Sequence, residues 1–73
     1  MAIIVNDEDA LRKAVFEKLN DPALEYTYTE MHERTGVARS YINQIKLGQK
    51  PGSLSAIMRL ATFLGIKYRF DAL

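Results

Sequence analysis

Gly36 and Gly48 bracket a segment with room for one short helix, and the character of that helix constrains the chain more than any other feature. Glycine takes up the left-handed conformation that ends helices, so both residues read as stop signals. A helix over 38–47 places Ile42 and Ile45, with Val37 just ahead of it, on one face. Arg39, Ser40, Asn43, Gln44 and Lys46 then occupy the other faces. One face is for packing, and the rest is polar. Arg and Gln are the side chains that form paired hydrogen bonds with base edges, Arg with guanine and Gln with adenine, and a helix fits the major groove. The segment therefore points to duplex DNA.

The flanks supply the packing partners. Ala2-Ile3-Ile4-Val5 is a β-branched run that reads as a short strand, closed by Asn6 and Asp7. Either of those residues caps a first helix, whose opening turn carries Glu8 and Asp9 where the helix dipole favours negative charge. Leu11, Ala14, Val15, Lys18 and Leu19 keep amphipathic spacing, with Phe16 at the margin, and Pro22 ends the helix. Thr27 with Glu30 three residues later forms a capping box, which starts a second helix at Tyr28 and runs it to Thr35. Its inward residues are read as Met31 and His32, with parts of Tyr28 and Thr35. Gly36 closes it, and a helix starting again within about two residues of that glycine makes a tight corner.

Residues 49–52 have turn composition, and Ser53 is the N-cap of a fourth helix carrying Leu54, Ile57, Met58, Leu60, Ala61 and Leu64. These apolar residues cover more than one face, so this helix is expected to be the spine of the core, with Ile42 and Ile45 packed between it and the second helix. Gly65 ends it. Ile66-Lys67-Tyr68-Arg69-Phe70 then alternates apolar and basic residues, which predicts a half-buried strand.

A chain of 73 residues is one domain, residues 1–73, and buries only about 60% of its unfolded surface. Its core is small, and dimerisation would help stabilise it. With 48% hydrophobic and 26% charged residues it has the composition of a soluble globular protein. The apolar run at 2–5 is too short for a signal-peptide core and no run spans a bilayer, so a cytoplasmic location is expected. The sequence has no cysteine, so disulfides and thiolate metal sites do not arise. No glycine-rich phosphate loop, His-x-x-x-His pair or activated serine occurs, so neither catalysis nor a cofactor or metal is expected. His32, the single histidine, reads as a packing residue.

Net charge is +1, but it is unevenly divided. Residues 1–33 balance to −5, whereas residues 34–73 carry seven basic side chains against Asp71 alone, a balance of +6. A polyanion is drawn to the second half and repelled by the first.

The succession over residues 28–66 resembles the helix-turn-helix of the phage repressor and Cro group, the XRE family. The elements that carry the resemblance are a short helix, Gly36-Val37, a helix with Ile42 and Ile45, Leu47-Gly48, a polar loop with Pro51, Ser53-Leu54, and a helix ending Leu64-Gly65-Ile66. It implies a mainly α, compact four-helix, lambda-repressor-like domain, here with short N- and C-terminal β-strands. Position by position, it implies base contacts for Arg39, Ser40 and Gln44. Asn43, Lys46, Gln49 and Lys50 match positions near the phosphates, and Tyr28 stands at the helix start that faces the DNA backbone. Tyr41 either reaches a phosphate or lies along the helix, and Arg59 is either a distal phosphate contact or a solvated charge. The chain departs from the family at His32, where a small alanine is usual, and at Ala38, where Ser or Thr often caps the helix.

The resulting expectation is a sequence-specific double-stranded DNA-binding transcriptional regulator, a Cro-type repressor acting as a homodimer on a two-fold operator. Ile66, Tyr68 and Phe70 share one face of the C-terminal segment and are assigned to the dimer interface. Tyr26 and Phe63 read with them as core or interface aromatics. The alternative is an antitoxin-like module that binds its own promoter and also holds a partner protein, a toxin.

Overall fold

The structure, a computed structural model, describes residues 6–69. It contains four helices: α1 (Glu8–Leu19), α2 (Tyr28–Thr35), α3 (Arg39–Lys46) and α4 (Leu54–Leu64). Their starts follow local chemistry. Thr27 Oγ1 accepts the Glu30 N–H at 3.1 Å, and Ser53 Oγ accepts the Ala56 N–H at 3.3 Å, each satisfying one of the orphan donors of a helix start. The capping box at Thr27 is only half closed. The Glu30 carboxylate accepts from the Thr27 hydroxyl at 3.3 Å. Asp7 and Ala38 precede α1 and α3 in extended conformation without a side-chain cap.

Gly36 and Gly65, with φ of 77° and 78°, supply the left-handed residues that close α2 and α4. The corner between α2 and α3 is closed by its own polar groups. Gly36 N–H donates to His32 O (2.8 Å), Val37 N–H to Thr35 Oγ1 (3.1 Å), and the Thr35 hydroxyl to Met31 O (2.6 Å).

Leu11, Val15 and Leu19 of α1, Met31 of α2, Val37, Ile42 and Ile45 around α3, and Ala56, Ile57, Leu60 and Ala61 of α4 form the core. In α1 the stripe is narrower than its sequence suggests, for Ala14 is half-buried and Lys18 exposed. His32 does not point inward as expected. It is exposed, and its Nδ1–H donates to Val37 O at 2.8 Å. A polar ring with a carbonyl within reach at the corner satisfies its donor there instead of being desolvated.

Ile42 and Ile45 are buried as expected, with the backbone of α3 closer to α2 and α1 than to α4. No Cα atom of α3 comes within 8 Å of one in α4. Contact with α4 runs through side chains around Gly52, which is buried with φ of 86°. A Cβ built there would sit 2.9 Å from Ile57 Cδ1 and 3.1 Å from Ile45 Cδ1. Ile45 of α3 and Ile57 of α4 both occupy the space that a side chain at position 52 would need.

The C-terminal strand is a correction. The N-terminal strand expected over residues 2–5 lies outside the described residues, as does Phe70. Among the described residues there is no strand, only an isolated β-bridge at Tyr68. At the end of α4, Ile66 N–H donates to Ala61 O at 2.9 Å, so the first residue of the expected strand belongs to the helix cap. The alternation itself persists, with Ile66 and Tyr68 half-buried against the core and Lys67 and Arg69 exposed.

Two substitutions test this packing. Ile42→Ala, at a fully buried site, is expected to lower unfolding free energy by about 2–5 kcal/mol in urea titration. Gly65 and Gly52 both have positive φ, but a Cβ on Gly65 meets nothing within 4 Å. Gly65→Ala should therefore cost only the left-handed penalty of roughly 1–2 kcal/mol, and Gly52→Ala distinctly more. Equal melting shifts for the two glycine variants would contradict the role given to Gly52.

Candidate nucleic-acid interface

The surface of α3 that faces away from Ile42 and Ile45 carries Ser40, Asn43, Gln44 and, at the C-cap, Leu47, spaced i, i+3, i+4 and i+7. Arg39 stands at the first helical position. Arg39 and Ser40 are exposed, whereas Asn43, Gln44 and Lys46 are half-buried. No acidic residue lies on α3 or on the loop that follows it. The acidic side chains nearest in sequence are Glu30 and Glu33 on α2.

Contacts from the first turn of α2 hold the polar residues of α3. The Tyr28 hydroxyl donates to Asn43 Oδ1 at 2.9 Å. With that oxygen engaged, the amide N–H groups are what Asn43 has left to give, which suits an acceptor such as a phosphate oxygen. Lys46 Nζ lies 5.7 Å from the centre of the Tyr28 ring, within cation–π range. Arg39 Nη1 donates to Thr29 Oγ1 at 3.3 Å, which ties the guanidinium to α2. Tyr28, Asn43 and Lys46 thus form one cluster, with Arg39 held beside it by Thr29. Sequence reasoning missed Thr29. Its signal is weak, because a second-position threonine in a helix is ordinary and only the fold brings it opposite Arg39.

Gln49 and Lys50 lie on the loop after α3, and both are exposed. Their backbone N–H groups converge on Gln44 O, at 2.9 and 3.3 Å. The loop is therefore an extension of the end of α3. Among the described residues neither side chain has a polar partner.

Tyr41 occupies a different position. It is half-buried, and its hydroxyl oxygen accepts the Ser53 N–H at 2.7 Å, joining α3 to the start of α4. The hydroxyl retains its own proton to donate. Arg59 is exposed on α4 and reaches towards the corner, its Nη1 3.4 Å from the place of a Cβ on Gly36. Ile66 and Tyr68 are not gathered with the α3 residues. They follow α4, where Tyr68 lines a shallow groove with Leu54, Met58, Arg59 and Thr62. Tyr26 and Phe63 stack edge to face with ring centres 4.7 Å apart, a packing contact.

Among the described residues no group of His, Asp and Glu is arranged to hold a metal ion, and no helix is long and apolar enough to cross a membrane. No family model matches the chain, and neither a curated protein nor a solved structure matches it.

The Tyr28 contact has a direct signature. Tyr28→Phe retains the ring beside Lys46 and removes the donor to Asn43, at an expected cost of about 0.5–1.5 kcal/mol. The side-chain amide resonances of Asn43 should shift in the NMR spectrum while those of Asn20 stay in place. Unmoved Asn43 signals would mean that this hydrogen bond does not form in solution.

Proposed function

We propose that the chain is a sequence-specific duplex-DNA-binding transcriptional regulator of the Cro type, in which α2 and α3 form a lambda-repressor-like helix-turn-helix. The observation that carries this reading is the outward row Ser40, Asn43 and Gln44, with Arg39 beside it, on a short helix whose opposite face is fully committed to the core. A polar row on the outer side of a short surface helix is what a major groove accepts.

In this reading Arg39, Ser40 and Gln44 meet base edges. Tyr28, Asn43, Lys46, Gln49 and Lys50 lie against phosphate, with the remaining proton of Tyr41 as a further donor. Phosphate contacts position the helix and contribute salt-dependent affinity, whereas base contacts carry the sequence preference. The excess of basic residues after position 33 favours approach by this side. Two copies related by a two-fold axis would place two such helices in successive major grooves, with half-sites about 34 Å apart. The segment from Ile66 to Phe70 is the proposed contact between them, and repression follows from occupying the operator.

Selection of bound duplexes from a random pool, using the purified protein, tests the reading. An enriched two-fold sequence is expected. On that sequence Arg39→Ala and Gln44→Ala should each lose about 1–3 kcal/mol of binding and relax the preference at one base pair. Lys50→Ala should weaken all sequences alike and flatten the dependence of log K on log salt by about one unit. A pool without enrichment, together with equal losses on selected and random duplexes for all three variants, would refute sequence-specific recognition.

A further inference from the structure

Arg12, Phe16 and Asn20 lie at i, i+4 and i+8 along α1, so they form one stripe at the edge of the face that packs the core. All three meet the loop between α3 and α4. Asn20 Nδ2 donates to Lys46 O at 2.9 Å, where the loop begins, and also to Phe16 O at 2.9 Å, which closes α1. Arg12 Nε donates to Gly52 O at 3.1 Å, where the loop ends, while its Nη1 is held by the Glu8 carboxylate at 2.8 Å. Between them Phe16 Cε1 lies 3.7 Å from the place of a Cβ on Gly48.

Capping α1 requires only the bond from Asn20 to Phe16 O. The bond to Lys46 O does something else, because it crosses to another element and satisfies a carbonyl at the C-terminal end of α3. Arg12 likewise spends a charged donor on a loop carbonyl. The segment so tethered carries Gln49 and Lys50, whose side chains are exposed while their N–H groups are tied to Gln44 O.

We infer that the stripe Arg12, Phe16 and Asn20 is the positioning element of the phosphate-binding loop, so that affinity for DNA of any sequence is set in part from α1. This rests on the reading of Gln49 and Lys50 as phosphate contacts. A loop held at both carbonyl ends presents its donors already ordered, and binding then forfeits less conformational entropy. The three residues touch no nucleic acid themselves and act through the loop.

The test is equilibrium binding to a selected duplex and to a random duplex over a salt series, at a temperature where circular dichroism shows each variant folded. Asn20→Ala removes both donated bonds at an exposed position. Arg12→Met retains the aliphatic stem and removes the donor. Each should lose about three- to tenfold in affinity, the cost of ordering one or two side chains on binding, and the loss should be equal on both duplexes. In a Gln49→Ala/Lys50→Ala background the same substitutions should cost almost nothing, because the groups they position are gone.

Wild-type affinity in the folded variants, a loss confined to the selected duplex, or an undiminished loss in the double-alanine background would overturn the inference while leaving the function proposed above intact. If Gln49→Ala/Lys50→Ala itself changes neither affinity nor salt dependence, the phosphate role of the loop is wrong, and the inference falls with it.

Discussion

A helix as short as α3 does not hold its shape in water unaided, because nucleation costs more than so few hydrogen bonds return. Its existence depends on burying Ile42 and Ile45, which are 0% and 3% exposed. That burial is available because α1 and α2 form a floor for α3 and Gly52 leaves the space that Ile45 and Ile57 occupy. Everything the outer face of α3 presents, from Arg39 to Lys46, is oriented by that one apolar contact. If it fails, the polar row loses both its helix and its direction.

Hydrogen bonds then refine what burial makes possible. They come from neighbouring elements: Tyr28 and Thr29 on α2, Arg12 and Asn20 on α1, and Ser53 at the head of α4. Each is worth little alone, about 1 kcal/mol net. Their combined effect is geometric, because they choose among rotamers and loop paths that the core leaves equally good. The division of labour suits a surface that must be rigid before its partner arrives, and in the proposed function that partner is a polyanion met by the basic half of the chain.

Much of this was legible in the sequence because it is local. Thr27 and Ser53 cap helices, and Gly36 and Gly65 end them, through chemistry that spans only a few residues, so α2 and the ends of α4 fall where periodicity and capping put them. Composition and alternation were less reliable near the C-terminus. Ile66 to Arg69 alternate as a strand would, yet Ile66 belongs to the cap of α4 and only Tyr68 forms a β-bridge. His32 misled for a similar reason, since helical phase places a residue on a face but does not reveal the Val37 carbonyl that draws its ring outward.

The sequence by itself determined where the helices start and stop, most of the core, including Leu11, Val15, Met31, Ile42, Ile45, Ile57 and Leu60, and which face of α3 is polar, because those depend on interactions within a turn or two of chain. Only the tertiary structure decided what surrounds that face. The backbone of α3 lies over α1 and α2 while its side chains meet α4 beside Gly52, Asn43 is held by Tyr28, Arg39 is held by Thr29, and the loop bearing Gln49 and Lys50 is clamped by Arg12 and Asn20. These partners stand 10 to 40 residues apart in the chain. No local pattern encodes such a pairing, which exists only once the core has brought the elements together.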